Sequence, residues 1–264
     1  MDQMEILTEA LALEQLEVNL FRGQNSKDSG PRIFGGQVIA QSLLAAYATV
    51  DDRVCHSLHC YFIRPGDPKV PIVFEVDRAR DGGSFTTRRV IAIQHGRQIF
   101  NLAASFQVPE DGFVHQSTMP DAPDPESVRP EAEVWAEAME GLPEHLTTWM
   151  KRPRPIDLRP VDGGFFFKGK NPPPKDPENQ IWFRSVQPIG DDIKMQQAIL
   201  AYASDMSLLS VSMRPHGVHW QTKGFQSASL DHAMWFHEPT NFNDWHLYDQ
   251  DSPSASGGRH AGAW

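Results

Sequence analysis

Gln196-Gln197-Ala198-Ile199-Leu200-Ala201-Tyr202-Ala203-Ser204-Asp205 aligns without gaps with Gln41-Ser42-Leu43-Leu44-Ala45-Ala46-Tyr47-Ala48-Thr49-Val50. Both segments are apolar with helical spacing. Each is followed by a similar strand-like run. His59-Cys60-Tyr61-Phe62-Ile63-Arg64-Pro65 parallels His232-Ala233-Met234-Trp235-Phe236-His237-Glu238-Pro239, with one extra residue in the second. A helix and a strand that recur in one order mark an internal repeat. The chain therefore reads as α+β: two copies of a long central helix followed by an antiparallel sheet that wraps it. The copies differ at a telling place, because Val50 in the first is Asp205 in the second. A carboxylate that loses water has a raised pKa unless donors hold its charged form. Asp205 is read either as a cap on a new turn, through Ser204 and Ser207, or as a general base or water-orienting acid.

Working outward, Met4 to Leu20 has the spacing of an amphipathic helix, with Leu13, Leu16 and Leu20 on one stripe. Phe34-Gly35-Gly36-Gln37 opens the first apolar helix, Val38 to Val50. The glycine pair lets the backbone come close to another group where free N–H groups suit an oxygen ligand; it also suits tight packing on a sheet. Val54 to Ile63, Val70 to Arg80, Ser84 to Gln94 and Gln98 to Gln107 are predicted strands, joined through Asp81-Gly82-Gly83 and His95-Gly96 turns. Pro109 to Pro130 is a proline-rich, acidic linker, and Pro130 to Lys151 is a predicted surface helix within the connection. In the second half, Gln180 to Pro188, Gly224 to His237 and Trp245 to Asp251 are predicted strands. Asp191 to Met213 is the second apolar helix, and Ser252 to Arg259 is a loop or bulge. The expected division is 1–108 for the first copy, 109–152 for the linker and 153–264 for the second.

With 264 residues and 40% hydrophobic content the chain can bury a sizeable core. A net charge of −10 argues against nucleic acid as a partner, since phosphates need a basic surface. No apolar run is long enough to span a bilayer, and residues 1–27 lack a signal pattern. The cytoplasm is the expected location. Cys55 and Cys60, the two cysteines, are five apart in a strand and are expected to face opposite ways, unable to bridge each other. No metal site is read from the cysteines or from histidine spacing.

Ser229, in Ser227-Ala228-Ser229-Leu230-Asp231-His232, is a second candidate group. No Gly-x-Ser-x-Gly elbow surrounds it, so a strained nucleophile is not indicated. Asp231 and His232 are strand neighbours that face opposite ways, which disfavours a hydratase-type acid–base pair on one substrate and makes His232 a core or interface residue. His56, expected to face away from His59, is a candidate for substrate contact. Arg78, Arg80, Arg88 and Arg89 form the best local basic cluster, and Arg88 in particular could meet phosphates; a salt-bridged, solvated face reads equally well.

Several ordered stretches carry a family resemblance. They are Leu20-Phe21-Arg22-Gly23, Phe34 to Val38, His56 to Phe62 with Arg64-Pro65-Gly66-Asp67, Ala103 to Gln107, Tyr202-Ala203-Ser204-Asp205, and Ser229 to His237. Together they resemble acyl-CoA thioesterase II, a family of bacterial enzymes and peroxisomal relatives, over residues 11–259. The resemblance implies a double hotdog fold and hydrolysis of fatty acyl-CoA thioesters to free acid and CoA, without metal or cofactor. It implies that Asp205 and Ser229 hold and activate a water; Gly35, Gly36, His56 and Arg88 stand beside them as candidate substrate contacts read from the residues themselves. By analogy it implies a homo-oligomer. It also implies a glutamine in a Val/Ala-Gln-Glu-Gly-Val motif after two further strands, and no segment matches that motif. The expectation is thus a C-terminally truncated chain whose second hotdog is incomplete and whose activity is poor. The alternative function is then a catalytically inactive acyl-CoA-binding or assembly module.

Overall fold

The computed structural model describes residues 3–25, 30–139, 154–163, 171–220 and 222–263. The helices are α1 (Gln3–Leu11), α2 (Gly35–Tyr47), α3 (Glu131–Ala138), α4 (Ile193–Ser204) and α5 (Leu208–Val211). The strands are β1 (Leu13–Glu17), β2 (Leu20–Gly23), β3 (Val54–Phe62), β4 (Ile72–Asp81), β5 (Phe85–Gln94), β6 (Arg97–Gln107), β7 (Ile156–Pro160), β8 (Glu178–Ser185), β9 (Asp231–Trp235), β10 (His246–Ser256) and β11 (Arg259–Ala263). They form two compact units. One comprises Met1–His115, Ile189–Asp205 and Ser229–Asn241. The other comprises Gln116–Pro188, Met206–Ala228 and Phe242–Trp264.

In the first unit a seven-stranded antiparallel sheet, in the order β1-β2-β4-β5-β6-β3-β9, holds helix α2. The helix is buried on almost every side, which is why its sequence is apolar all round rather than striped. Ile39 and Leu43 are fully buried; each such side chain contributes about 1.5–3 kcal/mol. The sheet meets the helix with alternating residues: Phe74 and Val76 on β4, Val90 and Ala92 on β5, Leu102, Ala104 and Phe106 on β6. His95 and Gly96, both at positive φ, make the two-residue turn from β5 to β6. Helix α4 packs on α2. Tyr47 Oη donates to Gln197 Oε1 and accepts from the Cys55 N–H at 2.8 Å, while Gln197 Nε2 donates to the Cys55 carbonyl at 3.0 Å. This closed network joins α2, α4 and β3 with every buried polar atom of the three groups paired.

The second unit is built on a four-stranded sheet, β11-β10-β8-β7. Phe183 on β8 stacks on Tyr248 of β10, and Phe242 meets Phe183 edge-on. The Trp245 indole carries the Arg159 and Arg184 guanidiniums at 4.6 and 4.1 Å, and its Nε1 donates to Glu126 at 3.0 Å. Glu126 lies in the connecting segment, in a short 3-10 turn from Pro125 to Ser127.

Several expectations change. Met4 to Leu20 is not one helix: α1 stops at Leu11, and the β1–β2 hairpin takes over because its backbone pairs with β4. The second apolar helix is likewise two pieces, since Ser207 at φ 65 breaks it between α4 and α5. The strand expected from Gly224 starts at Asp231, and the expected loop from Ser252 is β10 continuing to Ser256 before a Gly257-Gly258 turn into β11. The predicted surface helix is seen as α3; residues 140–153 lie outside the described residues. Compactness also cuts the chain differently from 1–108, 109–152 and 153–264. Segments Ile189–Asp205 and Ser229–Asn241 belong with the first unit, because α4 packs on α2 and β9 pairs with β3.

Cys55 and Cys60 are free and both face the core. A bulge between Cys55 and Ser57 shifts the pleat, so residues five apart face the same way. The same bulge places His56 on the outer face, where its Nε2 lies 2.8 Å from Ser105 Oγ. His59 stands on that face too, edge-on to Trp235. The two histidines therefore do not face opposite ways.

Candidate active site

Asp205 ends α4, and its carboxylate lies at the start of α2. Two glycines make that approach possible. A Cβ on Gly35 would stand 2.6 Å from Asp205 Oδ2 and 2.8 Å from the Phe62 ring, and one on Gly36 would stand 2.3 Å from the Tyr202 carbonyl oxygen. The oxygen ligand that the glycine pair calls for in the sequence is thus the chain's own carboxylate. Phe34 extends as the residue before α2 and packs edge-on against Tyr202 at 5.0 Å.

Two influences compete at Asp205. Removal of water pushes its pKa up, and a hydrogen bond from the Gly36 backbone N–H pulls it down. Burial prevails, and the pKa is raised to about 7. The position at the carbonyl end of its own helix acts in the same direction as burial, while the amino end of α2 opposes it. The result is a carboxyl group that titrates near neutrality, where a general base is most effective. The buried Cys60 thiol is pushed up by burial and, next, by the nearby Asp205 charge.

Ser229 precedes β9. The next residue, Leu230, accepts a 2.9 Å hydrogen bond at its carbonyl from the Phe62 N–H. Phe62 is the residue whose ring lies against Gly35, so Ser229 enters the site's end of β3. Gly35, Gly36 and Asp205 meet at the start of α2, and Ser229 adjoins the Leu230 that bonds to Phe62. His56 is not among them: it stands six residues back from Phe62, about 20 Å along the strand, with Ser105 and Phe85. Burial holds its pKa down.

Arg88 corrects its expected role. It is 2% exposed, and all five of its N–H groups are engaged: Nε on Thr49 Oγ1, one terminal nitrogen on the Arg80 and Thr87 carbonyls, the other on the Thr49 carbonyl and Asp81. It fastens β5 to the end of α2 and has no donor left for a phosphate. Strand parity hid this, since the sequence shows four arginines but not which of them points inward.

The structure adds groups that motif reading passed over. His232, expected to be a core or interface residue, is buried and contacts Ser204, the residue before Asp205. Cys60 comes near the same carboxylate. The repeat holds the available signal, since Ser204 aligns with Thr49 and His232 with His59. Among the described residues no cluster of His, Cys, Asp or Glu is arranged to hold a metal ion, and no helix is long and apolar enough to cross a membrane.

With that geometry in hand, comparison with known proteins is specific. Residues 24–107 match the family model described as acyl-CoA thioesterase N-terminal domain, and residues 162–263 match that described as acyl-CoA thioesterase. The chain is 40% identical to acyl-CoA thioesterase 2 of Haemophilus influenzae, over 98% of this chain and 90% of the relative. It is 38% identical to human acyl-coenzyme A thioesterase 8, over 98% and 83%. Among solved structures, acyl-CoA thioesterase II TesB2 of Mycobacterium marinum matches with a TM-score of 0.75 and 42% identity, over 97% of this chain and 88% of that one. A tesB protein of Mycobacterium avium subsp. paratuberculosis matches with a TM-score of 0.79 and 30% identity, over 99% and 91%. These matches cover 97–99% of this chain and 83–91% of the relatives, and they do not support the expected truncation. The fold is the hotdog α+β architecture of these thioesterases, and the chain belongs to the acyl-CoA thioesterase family.

Proposed function

We infer that this chain hydrolyses acyl-CoA thioesters to free fatty acid and CoA, and that Asp205 is the base. Family membership supports the reaction. The single observation that carries the assignment of the base is the Asp205 carboxylate, set at the start of α2 on the Gly36 N–H with its pKa raised to about 7. Above that pH the carboxylate takes a proton from a water as the water oxygen bonds to the thioester carbonyl carbon. The C–S bond then breaks, and the proton held by Asp205 passes to the departing thiolate. The products are a carboxylic acid and CoA thiol, and Asp205 is again ionised. A thioester is a good electrophile with a good leaving group, so a positioned water and one base suffice. In this reading Ser229 orients the water or steadies the developing oxyanion. Gly35 and Gly36 admit the reacting groups.

The test is thiol release from a medium-chain acyl-CoA by the full chain beside Asp205→Asn. The expected result is that kcat/KM rises with pH to a plateau with an apparent pKa near 7, and that the substitution lowers kcat about 10²–10⁴-fold. Unchanged turnover by Asp205→Asn would remove Asp205 from the mechanism. The reading extends to a homo-oligomer, tested by sedimentation. It extends also to a cytoplasmic location, with which two buried free thiols are compatible.

A further inference from the structure

Two buried side chains behind the carboxylate join the elements that carry the candidate groups. Ser204, the last residue of α4, is 2% exposed, and His232 on β9 is 7% exposed. Ser204 Oγ donates its one proton to the Ala201 carbonyl at 2.9 Å. With that proton on the carbonyl, the 3.0 Å contact between Ser204 Oγ and His232 Nε2 is made by the Nε2–H tautomer of the imidazole. Burial keeps that ring neutral, lowering its pKa to about 4 against the opposing pull of Asp231. The His232 backbone is fixed as well. It pairs with Cys60 across the β3–β9 ladder, and Cys60 Sγ donates to its carbonyl at 3.2 Å.

We propose that His232 is a positioning residue for the hydrolysis, whose Nε2–H···Oγ bond to Ser204 sets the spacing between Asp205 and Ser229. Asp205 follows Ser204 directly, and Ser229 lies three residues before His232, so one hydrogen bond ties the end of α4 to the entry of β9. Backbone pairing holds β9 to β3, and the Gln197–Cys55 bond holds the first half of α4 to β3; the Ser204–His232 bond joins the end of α4 to β9 itself. Without the bond the carboxylate and the serine would each keep a local anchor, Gly36 for one and the Leu230–Phe62 bond for the other, and would drift relative to each other. The inference rests on Asp205 and Ser229 being the reacting groups.

The experiment compares His232→Met, His232→Gln, Ser204→Ala, the His232→Met/Ser204→Ala double variant and Asp205→Asn in the full chain. It measures kcat and KM separately on one medium-chain acyl-CoA, with thermal midpoints beside them. His232→Met, similar in bulk but without the donor, is expected to lower kcat about 10–100-fold with KM within about twofold, the scale of a misplaced reacting group. His232→Gln, whose amide can offer an N–H in the place of Nε2, is expected to recover most of that loss. Ser204→Ala is expected to match His232→Met, and the double variant to lose no more than either. Equal losses in His232→Met and His232→Gln, or losses that follow the thermal midpoint alone, would overturn the proposal in favour of simple packing. An inactive Asp205→Asn beside a normal His232→Met would overturn it while leaving the base assignment intact. An active Asp205→Asn would instead overturn the base assignment, and this inference with it.

Discussion

Replacing Asp205 by asparagine should make the protein more stable, and by an amount that grows with pH. In the folded chain the carboxyl titrates at about 7, against 3.8 for an ordinary aspartate. The folded state thus holds this proton more tightly than the unfolded state does. Between pH 3.8 and about 7 the unfolded chain has released the proton and the folded chain has not, so each rise in pH across that window favours unfolding. Each pH unit between the two values is worth about 1.4 kcal/mol, so the full burden above pH 7 is about 4 kcal/mol. Asparagine has the same shape and can still accept from the Gly36 N–H, but it does not ionise. Denaturant unfolding of both proteins at pH 5 and pH 8 would measure the difference. At pH 5 the wild-type chain already bears about a third of the burden, and by pH 8 it bears nearly all. The stability advantage of Asp205→Asn should therefore increase by about 2–3 kcal/mol between the two. A constant difference across that range, or an asparagine variant that is the less stable at pH 8, would refute the account of how this carboxylate is held.

Other substitutions separate packing from chemistry. Gly35→Ala drives a methyl toward Asp205 Oδ2 and the Phe62 ring, and should lower kcat far more than stability; Gly36→Ala meets the rigid Tyr202 carbonyl at 2.3 Å and should cost about 1–3 kcal/mol, read by thermal unfolding. Tyr47→Phe leaves Gln197 Oε1 and the Cys55 N–H without the phenol between them, and denaturant midpoints should report a loss of about 2 kcal/mol or more. Arg88→Lys cannot reproduce five donors in a plane, so the folded fraction should fall while turnover per folded molecule and KM for acyl-CoA stay close to wild type; a selective rise in KM would return Arg88 to substrate binding.

The sequence speaks most clearly where one position departs from its own repeat. Val50 against Asp205 marks the unusual carboxylate, and Gly35-Gly36 marks a close approach to an oxygen; the structure shows that these are two sides of one contact. What the residue pattern conceals is any single-residue change of phase. Parity puts Cys55 and Cys60 on opposite faces, but one bulge between Cys55 and Ser57 reverses the outcome. Apolar spacing runs on through Asp205 to Met213, yet the helix breaks at Ser207, because a left-handed residue leaves no trace in hydrophobic period. The stripe of Leu13, Leu16 and Leu20 suits a helix, but the first sheet offers an edge, and backbone pairing with β4 prevails over local propensity. Arg88 shows the same limit for charge, since a count of arginines cannot tell the one that is sealed inside.

The pairing of β3 with β9 also has a consequence in time. Tyr61 lies opposite Asp231 in the register, so the margin of the first sheet is closed by residues made long after the other strands beside it. Contacts of such large sequence separation are slow to form. During synthesis, β3 would emerge, join β6 and then wait with a bare edge while the connecting segment and the second apolar helix follow. A nascent chain halted before β9 should therefore be the species most prone to wrong pairing, and the one a chaperone would meet. Asp205 and Ser229 arrive only with that late closure, so catalytic competence would be among the last properties this protein gains as it folds.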